Sequence, residues 1–130
     1  AFAKKKFDEA LHYLNKTEFE NLIFKLDAKR LTAMIYYETG SYENLNSLLD
    51  AFSHFLGNVK SKNIDIIKRN KSFIRYLKKL VKLRSGRLDP AEVTMLHDSL
   101  IKDNTSAKKW LLKKTIQLEE IIYRKNSEAS

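Results

Sequence analysis

The stretch Tyr36-Tyr37-Glu38-Thr39-Gly40-Ser41-Tyr42-Glu43-Asn44-Leu45 decides the fold. It reads as the end of one helix, a tight turn at Gly40, and the start of a second helix running back antiparallel. A glycine just past a helix end adopts the left-handed conformation without the steric cost that a Cβ brings. Ser41 is then placed to cap the next helix by accepting a bond from an early backbone N–H. Two helices joined by so short a turn form an αα-hairpin.

Reading outward toward the N-terminus, Thr17-x-x-Glu20 has the form of a capping box and predicts a helix from there to about Glu38. A separate helix is expected from about Lys4 to Leu14, with Phe7, Ala10, Leu11 and Leu14 on one face. The helix after Thr17 carries two apolar faces: Phe19, Leu22, Ile23 and Leu26 on one, Phe24, Ala28, Leu31 and Ile35 on the other. A helix apolar on two sides is expected to lie between neighbours.

Toward the C-terminus, Leu45, Leu48, Leu49, Phe52, Phe55 and Leu56 make the stripe of a helix that Gly57 is expected to stop. The next helix spans about 59–84, with Phe73, Ile74, Leu77, Leu80 and Val81 inward, and Gly86 ends it. Asn70 interrupts that stripe and is read as bonding a partner across the groove. Asp89-Pro90-Ala91-Glu92 supplies an N-cap acid, proline at N1 and glutamate at N3. The helix it opens runs to about Lys102, with Val93, Leu96, Leu100 and Ile101 inward. A last helix over 107–124 turns Trp110, Leu111, Leu118 and either Ile116 or Lys114 to the core. Residues 126–130 read as a disordered polar tail, and no segment reads as a strand. The expected architecture is all-α, about six antiparallel helices in one domain over 1–125.

The hairpin resembles a tetratricopeptide (TPR) unit. With Gly40 on the glycine of that family's turn, Ala33 falls on the small residue of the first helix. Tyr36, Tyr37 and Tyr42 fall on the aromatic positions around the turn, and Leu45, Leu49 and Phe52 on the second-helix core. Phe7-Asp8-Glu9-Ala10-Leu11 is similar to Tyr42-Glu43-Asn44-Leu45-Asn46, an offset close to the repeat length of roughly 34 residues. The run from Leu22 to Phe55 is similar to uncharacterised bacterial members of Bacteroidetes type. The resemblance implies a right-handed TPR-like superhelix, part of a longer array whose first helix is missing here, and a non-enzymatic scaffold binding a protein or peptide. It places Arg30, Met34, Tyr37 and Glu38 on the partner-binding groove.

Composition narrows the function classes. The chain has 130 residues, 43% hydrophobic, with three glycines and one proline, which suits long helices. It has no cysteine, so disulfides, thiolate metal sites and cysteine nucleophiles are excluded. No apolar run approaches the roughly 18 residues of a membrane span, and the first residues lack the apolar stretch of a signal peptide. A cytoplasmic protein is expected. The net charge of +9 is unevenly placed: residues 1–57 sum to −1 and residues 58–130 to +10.

No catalytic, metal or cofactor constellation is legible. His12, His54 and His97 are isolated. Glu9-x-x-His12 has the spacing of a di-iron ligand pair, but such a site needs the motif twice. Glu119 and Glu120 are helical neighbours and point apart. The notable feature is a basic face on the helix over 59–87, carried by Lys68, Arg69, Lys71, Arg75, Lys78, Lys79 and Lys82, with Lys108, Lys109, Lys113 and Lys114 as an extension. Such a face is either solvated or a surface for phosphates, so binding to a nucleic-acid backbone is the alternative function. Tyr76 is the only aromatic there expected to face outward, which argues against base stacking. An open apolar end near the first helix makes self-association a further expectation.

Overall fold

Between Phe2 and Glu38 the chain has neither glycine nor proline. Nothing in it forces a break, and in the computed structural model, which describes residues 2–129, this whole stretch is one helix, α1 (Phe2–Glu38). The two helices expected on either side of Thr17 are therefore one, and the expected six helices are five. Thr17 does not cap. Its hydroxyl donates to the carbonyl of Tyr13, 2.9 Å away, the i−4 bond a threonine makes inside a helix. Four helices follow: α2 (Tyr42–Asn58), α3 (Ile64–Ser85), α4 (Pro90–Lys102) and α5 (Lys108–Ala129). There is no strand among the described residues.

The turn between α1 and α2 forms as the sequence implies. Gly40 has φ +72°. Its N–H bonds to Tyr37 O at 3.2 Å and the N–H of Ser41 to Tyr36 O at 2.9 Å, the paired bonds of a Schellman motif. Ser41 stands at the N-cap of α2, but its side chain makes no cap bond to the backbone. Its hydroxyl lies 3.1 Å from that of Thr39 instead. Asn63 caps α3 by accepting from Ile66 N at 3.2 Å, so that helix starts later than the apolar pattern suggests. Asp89 caps α4 by accepting from Ala91 N at 2.9 Å, with Pro90 in the first turn. Gly57 does not stop α2, which continues to Asn58. The polar end of the chain is also helical, since α5 extends through residues 126–129.

α1 packs on α2, α2 on α3, and α3 on both α4 and α5, while α4 and α5 pack most extensively on each other. The core takes Leu45, Leu49, Phe52 and Leu56 from α2, and Phe73, Ile74, Leu77 and Leu80 from α3. Val93, Leu96 and Leu100 of α4 and Leu111 and Leu118 of α5 complete it. Lys114, not Ile116, takes the inward position on α5, and Ile101 is turned out. α1 contributes only from its second half, through Leu26, Ala33 and Tyr37. At 1.5 Å per residue its 37 residues span about 55 Å, while the 17 of α2 span about 25 Å. Every described side chain from Ala3 to Lys16 is exposed, so the first half of α1 is an arm that contributes no side chain to the core.

Two glycines give opposite expected outcomes. Gly40→Ala forces an L-residue into the left-handed region and lowers stability by about 1–2 kcal/mol. Gly57→Ala, helical and with open space around the new Cβ, raises it by about 0.4–1 kcal/mol. Urea unfolding of the two variants checks both signs.

Candidate functional site

The four residues assigned to a partner groove all face the chain's own helices. Arg30 Nη1 donates to Asn70 Oδ1 on α3 at 2.6 Å, and its other nitrogen pairs with Asp27. Asn70, 1% exposed, donates back to Ile66 O at 2.8 Å. The polar break in the α3 stripe is thus a bridge to α1. Met34 is half-buried against the core. Tyr37 is buried, 5.9 Å from the ring of Tyr42 and edge-on to Trp110 at 5.5 Å. Burial, with a smaller contribution from Tyr42, pushes the Tyr37 hydroxyl up to about 12.

Glu38 ties the end of α1 to α5. Its Oε1 accepts from Trp110 Nε1 at 3.2 Å and pairs with the ammonium of Lys114. Lys114 is only 4% exposed. Its ammonium also donates to Gln117 Oε1 at 3.1 Å and sits 5.5 Å from the Trp110 ring centre. The Lys114 hydrogen bond is the main reason the Glu38 carboxyl is held below its ordinary value of 4.5. Sequence reasoning missed this junction, because its partners lie 72 residues apart and no local pattern pairs them.

The basic face is partly neutralised from within. Lys78 pairs with Asp50 of α2 at 2.8 Å, and Arg75 lies 3.7 Å from Asp103. Arg69 sits away from the lysine stripe, with Nε 3.2 Å from Asp65. Its carbonyl accepts from Ser106 N at 3.3 Å, in the α4–α5 connection. Tyr76 does not face outward. It is 2% exposed, its hydroxyl bonds Asp103, and Arg75 and Lys79 lie over its ring at 5.2 and 5.8 Å. Burial, then that hydrogen bond, raises its pKa. Lys108 leaves the patch as well, donating to Ile101 O and Asp103 O at 2.8 and 2.9 Å at the end of α4. Lys114 is buried, as described. Lys68, Lys71, Lys79 and Lys82 remain exposed on one face with no ion pair among the described residues, as do Lys109 and Lys113 on α5. Lys79 and Lys82 border a cleft that also holds Glu92 and Met95.

The remaining surface is the second apolar face of α1. Phe24, Leu31 and Ile35 are 75%, 58% and 50% exposed, and Phe7, Leu11, Tyr13 and Leu14 on the arm are exposed too. The sequence pattern placed a neighbour on each side of this helix, but within the chain only one side has one. His12 and His54 are exposed, and His97 is half-buried, 3.8 Å from Asp98. Among the described residues no three His, Asp or Glu side chains cluster as metal ligands, and no helix is long and apolar enough to cross a membrane.

No family model matches this chain, and no curated protein or solved structure resembles it significantly.

The Glu38 junction makes a pH prediction. A carboxyl whose folded pKa is depressed stabilises the fold above its unfolded pKa and loses that contribution as pH falls through the folded value. The α1–α5 contact is therefore expected to weaken below about pH 4.5. Glu38→Gln should flatten this part of the stability–pH curve. At pH 7 Glu38→Ala should cost about 2 kcal/mol, since it strands the buried Lys114 ammonium. Denaturant melts between pH 3 and pH 7 would show both effects, and a Glu38→Gln curve parallel to that of the native chain would count against the assignment.

Proposed function

We propose that this chain is a non-enzymatic helical interaction module that binds protein through the outward face of α1. One observation carries the reading: Phe24, Leu31 and Ile35 are at least half exposed on a helix whose opposite face buries Leu26 and Ala33 to 1% and 0%. Single exposed apolar residues are ordinary, but a continuous row of them along one face marks an interaction site. The finer reading, a TPR-like scaffold, rests on the α1–α2 hairpin alone. The expected earlier unit loses its support because α1 has no turn before Thr17. The groove residues Arg30, Met34, Tyr37 and Glu38 each have a contact inside the fold, which favours the outward face of α1 over them as the partner site.

Site-directed photocrosslinking in the source cells tests the reading. A benzophenone side chain at Phe24 or Leu31 is expected to give a discrete adduct with a protein, whichever protein that is. The same probe at exposed Asn46 on α2 is expected to give none. Equal labelling at all three positions, or no adduct at Phe24 and Leu31, would sink the reading.

A second reading has a specific support, the four unpaired lysines of α3. Lys68 to Lys82 covers about 21 Å of helix, enough to follow several phosphates. Glu92 across the cleft from Lys82 opposes an anion, and Tyr76 offers no stacking surface. What is left is backbone electrostatics. If all four lysines bind phosphates, duplex affinity should fall about 100-fold between 50 and 200 mM salt. Lys71→Glu with Lys82→Glu should abolish binding measured by fluorescence anisotropy. No binding at 50 mM salt would retire this reading.

A further inference from the structure

We propose that the occupant of the outward face of α1 is a second copy of this chain, with α1 lying parallel and in register on α1 as a two-stranded coiled coil from Phe7 to Ile35. The inference rests on the reading that this face binds protein, and names the partner.

Phe7, Leu14, Asn21, Ala28 and Ile35 recur every seven residues and occupy the a positions of a heptad. Ala10, Thr17, Phe24 and Leu31 occupy the d positions three residues further on. The seam runs for four heptads and is apolar at seven of its nine positions, Thr17 and Asn21 being the polar exceptions at its centre. Thr17 is half-buried and the other eight seam residues are exposed. With 100° between residues, Phe24, Leu31 and Ile35 lie roughly 160° around the helix from Leu26, Ala33 and Tyr37. A partner on the seam therefore approaches from the side opposite the bundle. A strict seven-residue repeat drifts about 20° per heptad on a straight helix, and two copies absorb that drift by winding left-handed around each other.

The flanking charges choose the partner and its direction. Glu20 is at g and Lys25, five residues on, is at the following e. Both are exposed and neither has an ion pair among the described residues. In a parallel, in-register dimer Glu20 of one copy faces Lys25 of the second copy, and symmetry makes the contact twice. An antiparallel arrangement that sets Leu14 against Phe24 instead brings Glu18 and Glu20 of both copies together at the dyad. Asn21 makes the same choice. A single asparagine at an a position is best satisfied by its own counterpart, which fixes register and favours two strands. The alanines at 10 and 28 let the helices approach closely between the large side chains of Phe7, Leu14, Phe24, Leu31 and Ile35.

The test uses the full chain. It has no cysteine, so Leu14→Cys adds its only thiol. Sedimentation equilibrium at roughly 50 µM is expected to give a dimer, and Phe24→Glu with Leu31→Glu to raise its dissociation constant at least about 100-fold. The near-UV signal of Trp110, which sits at the α1–α5 junction, should be unchanged in that variant, showing that the bundle persists. In a glutathione redox buffer Leu14→Cys should form a symmetric disulfide-linked dimer. Asn21→Ile should tighten association and admit assemblies larger than two. A native chain that stays monomeric overturns the inference. So does a dimer indifferent to Phe24→Glu and Leu31→Glu, or one in which Leu14→Cys stays reduced while Leu14→Cys with Phe24→Cys crosslinks. A monomer that still gives an adduct with another protein at Phe24 overturns this inference and leaves the interaction reading standing. A monomer with no adduct sinks both.

Discussion

A 37-residue helix packed on a 17-residue one cannot bury its whole length, and a helix apolar on two sides cannot bury both against one neighbour. These two mismatches in α1 govern the rest of the structure. The chain meets the half it can reach with Leu26, Ala33 and Tyr37 turned to α2 and its neighbours. It leaves the arm before Thr17 and the face carrying Phe24, Leu31 and Ile35 without a partner. Hydrophobic burial supplies about 25 cal/mol per Å² of apolar surface removed from water, a gain these exposed residues do not draw from the chain's own fold. The exposed arm is a property of the helix length, which follows from the absence of any breaker between Phe2 and Glu38, and the exposed face beyond it is a property of the two-sided apolar pattern.

Closure of the bundle depends on a polar contact at the other end of α1. Glu38 ends the helix and meets Trp110 and Lys114 of α5, so the last helix is tied to the first hairpin. A buried ammonium is costly unless it is paired and hydrogen-bonded. Lys114 has Glu38, Gln117 and the Trp110 ring around it. Arg30 with Asn70 plays the matching part between α1 and α3. Both contacts use residues that a groove-binding scaffold would present to a ligand. The side of α1 facing α2, α3 and α5 is therefore committed to holding the helices together, and only the opposite side is free to recognise anything.

Local signals were legible where chemistry is unusual. Gly40 is one of three glycines and sits where φ is positive, so the hairpin could be located from one residue and its neighbours. Asp89-Pro90 marked the start of α4 for the same kind of reason. Thr17-x-x-Glu20 misled because a capping box acts only where a helix begins, and threonine inside a helix has another partner in the i−4 carbonyl. Gly57 misled because a glycine ends a helix by its conformation, and this one keeps helical geometry. The candidate site was harder. Tyr76 looked like a surface residue in sequence and Lys114 was open between the core and the basic patch, and each is buried through a partner on another element, Asp103 and Glu38. The exposed seam was visible as a second apolar face, but whether a neighbour within the chain covers it depends on tertiary packing, which spacing does not encode.

The uneven charge bears on how two such chains meet. A chain of net charge +9 repels its copy, yet the repulsion depends on where the charge lies. Residues 1–57, which contain all of α1, sum to −1, and the excess of +10 belongs to the rest. In the proposed dimer the near-neutral helices touch, and each basic second half lies across its own α1 from the interface. The intervening helix adds about 10 Å on each side, and at physiological salt the field of an exposed charge decays over about 8 Å. The basic residues therefore oppose association weakly. They also keep the lysines of α3 clear of the seam, so contact through α1 and electrostatic attraction of an anion by α3 do not compete for the same surface.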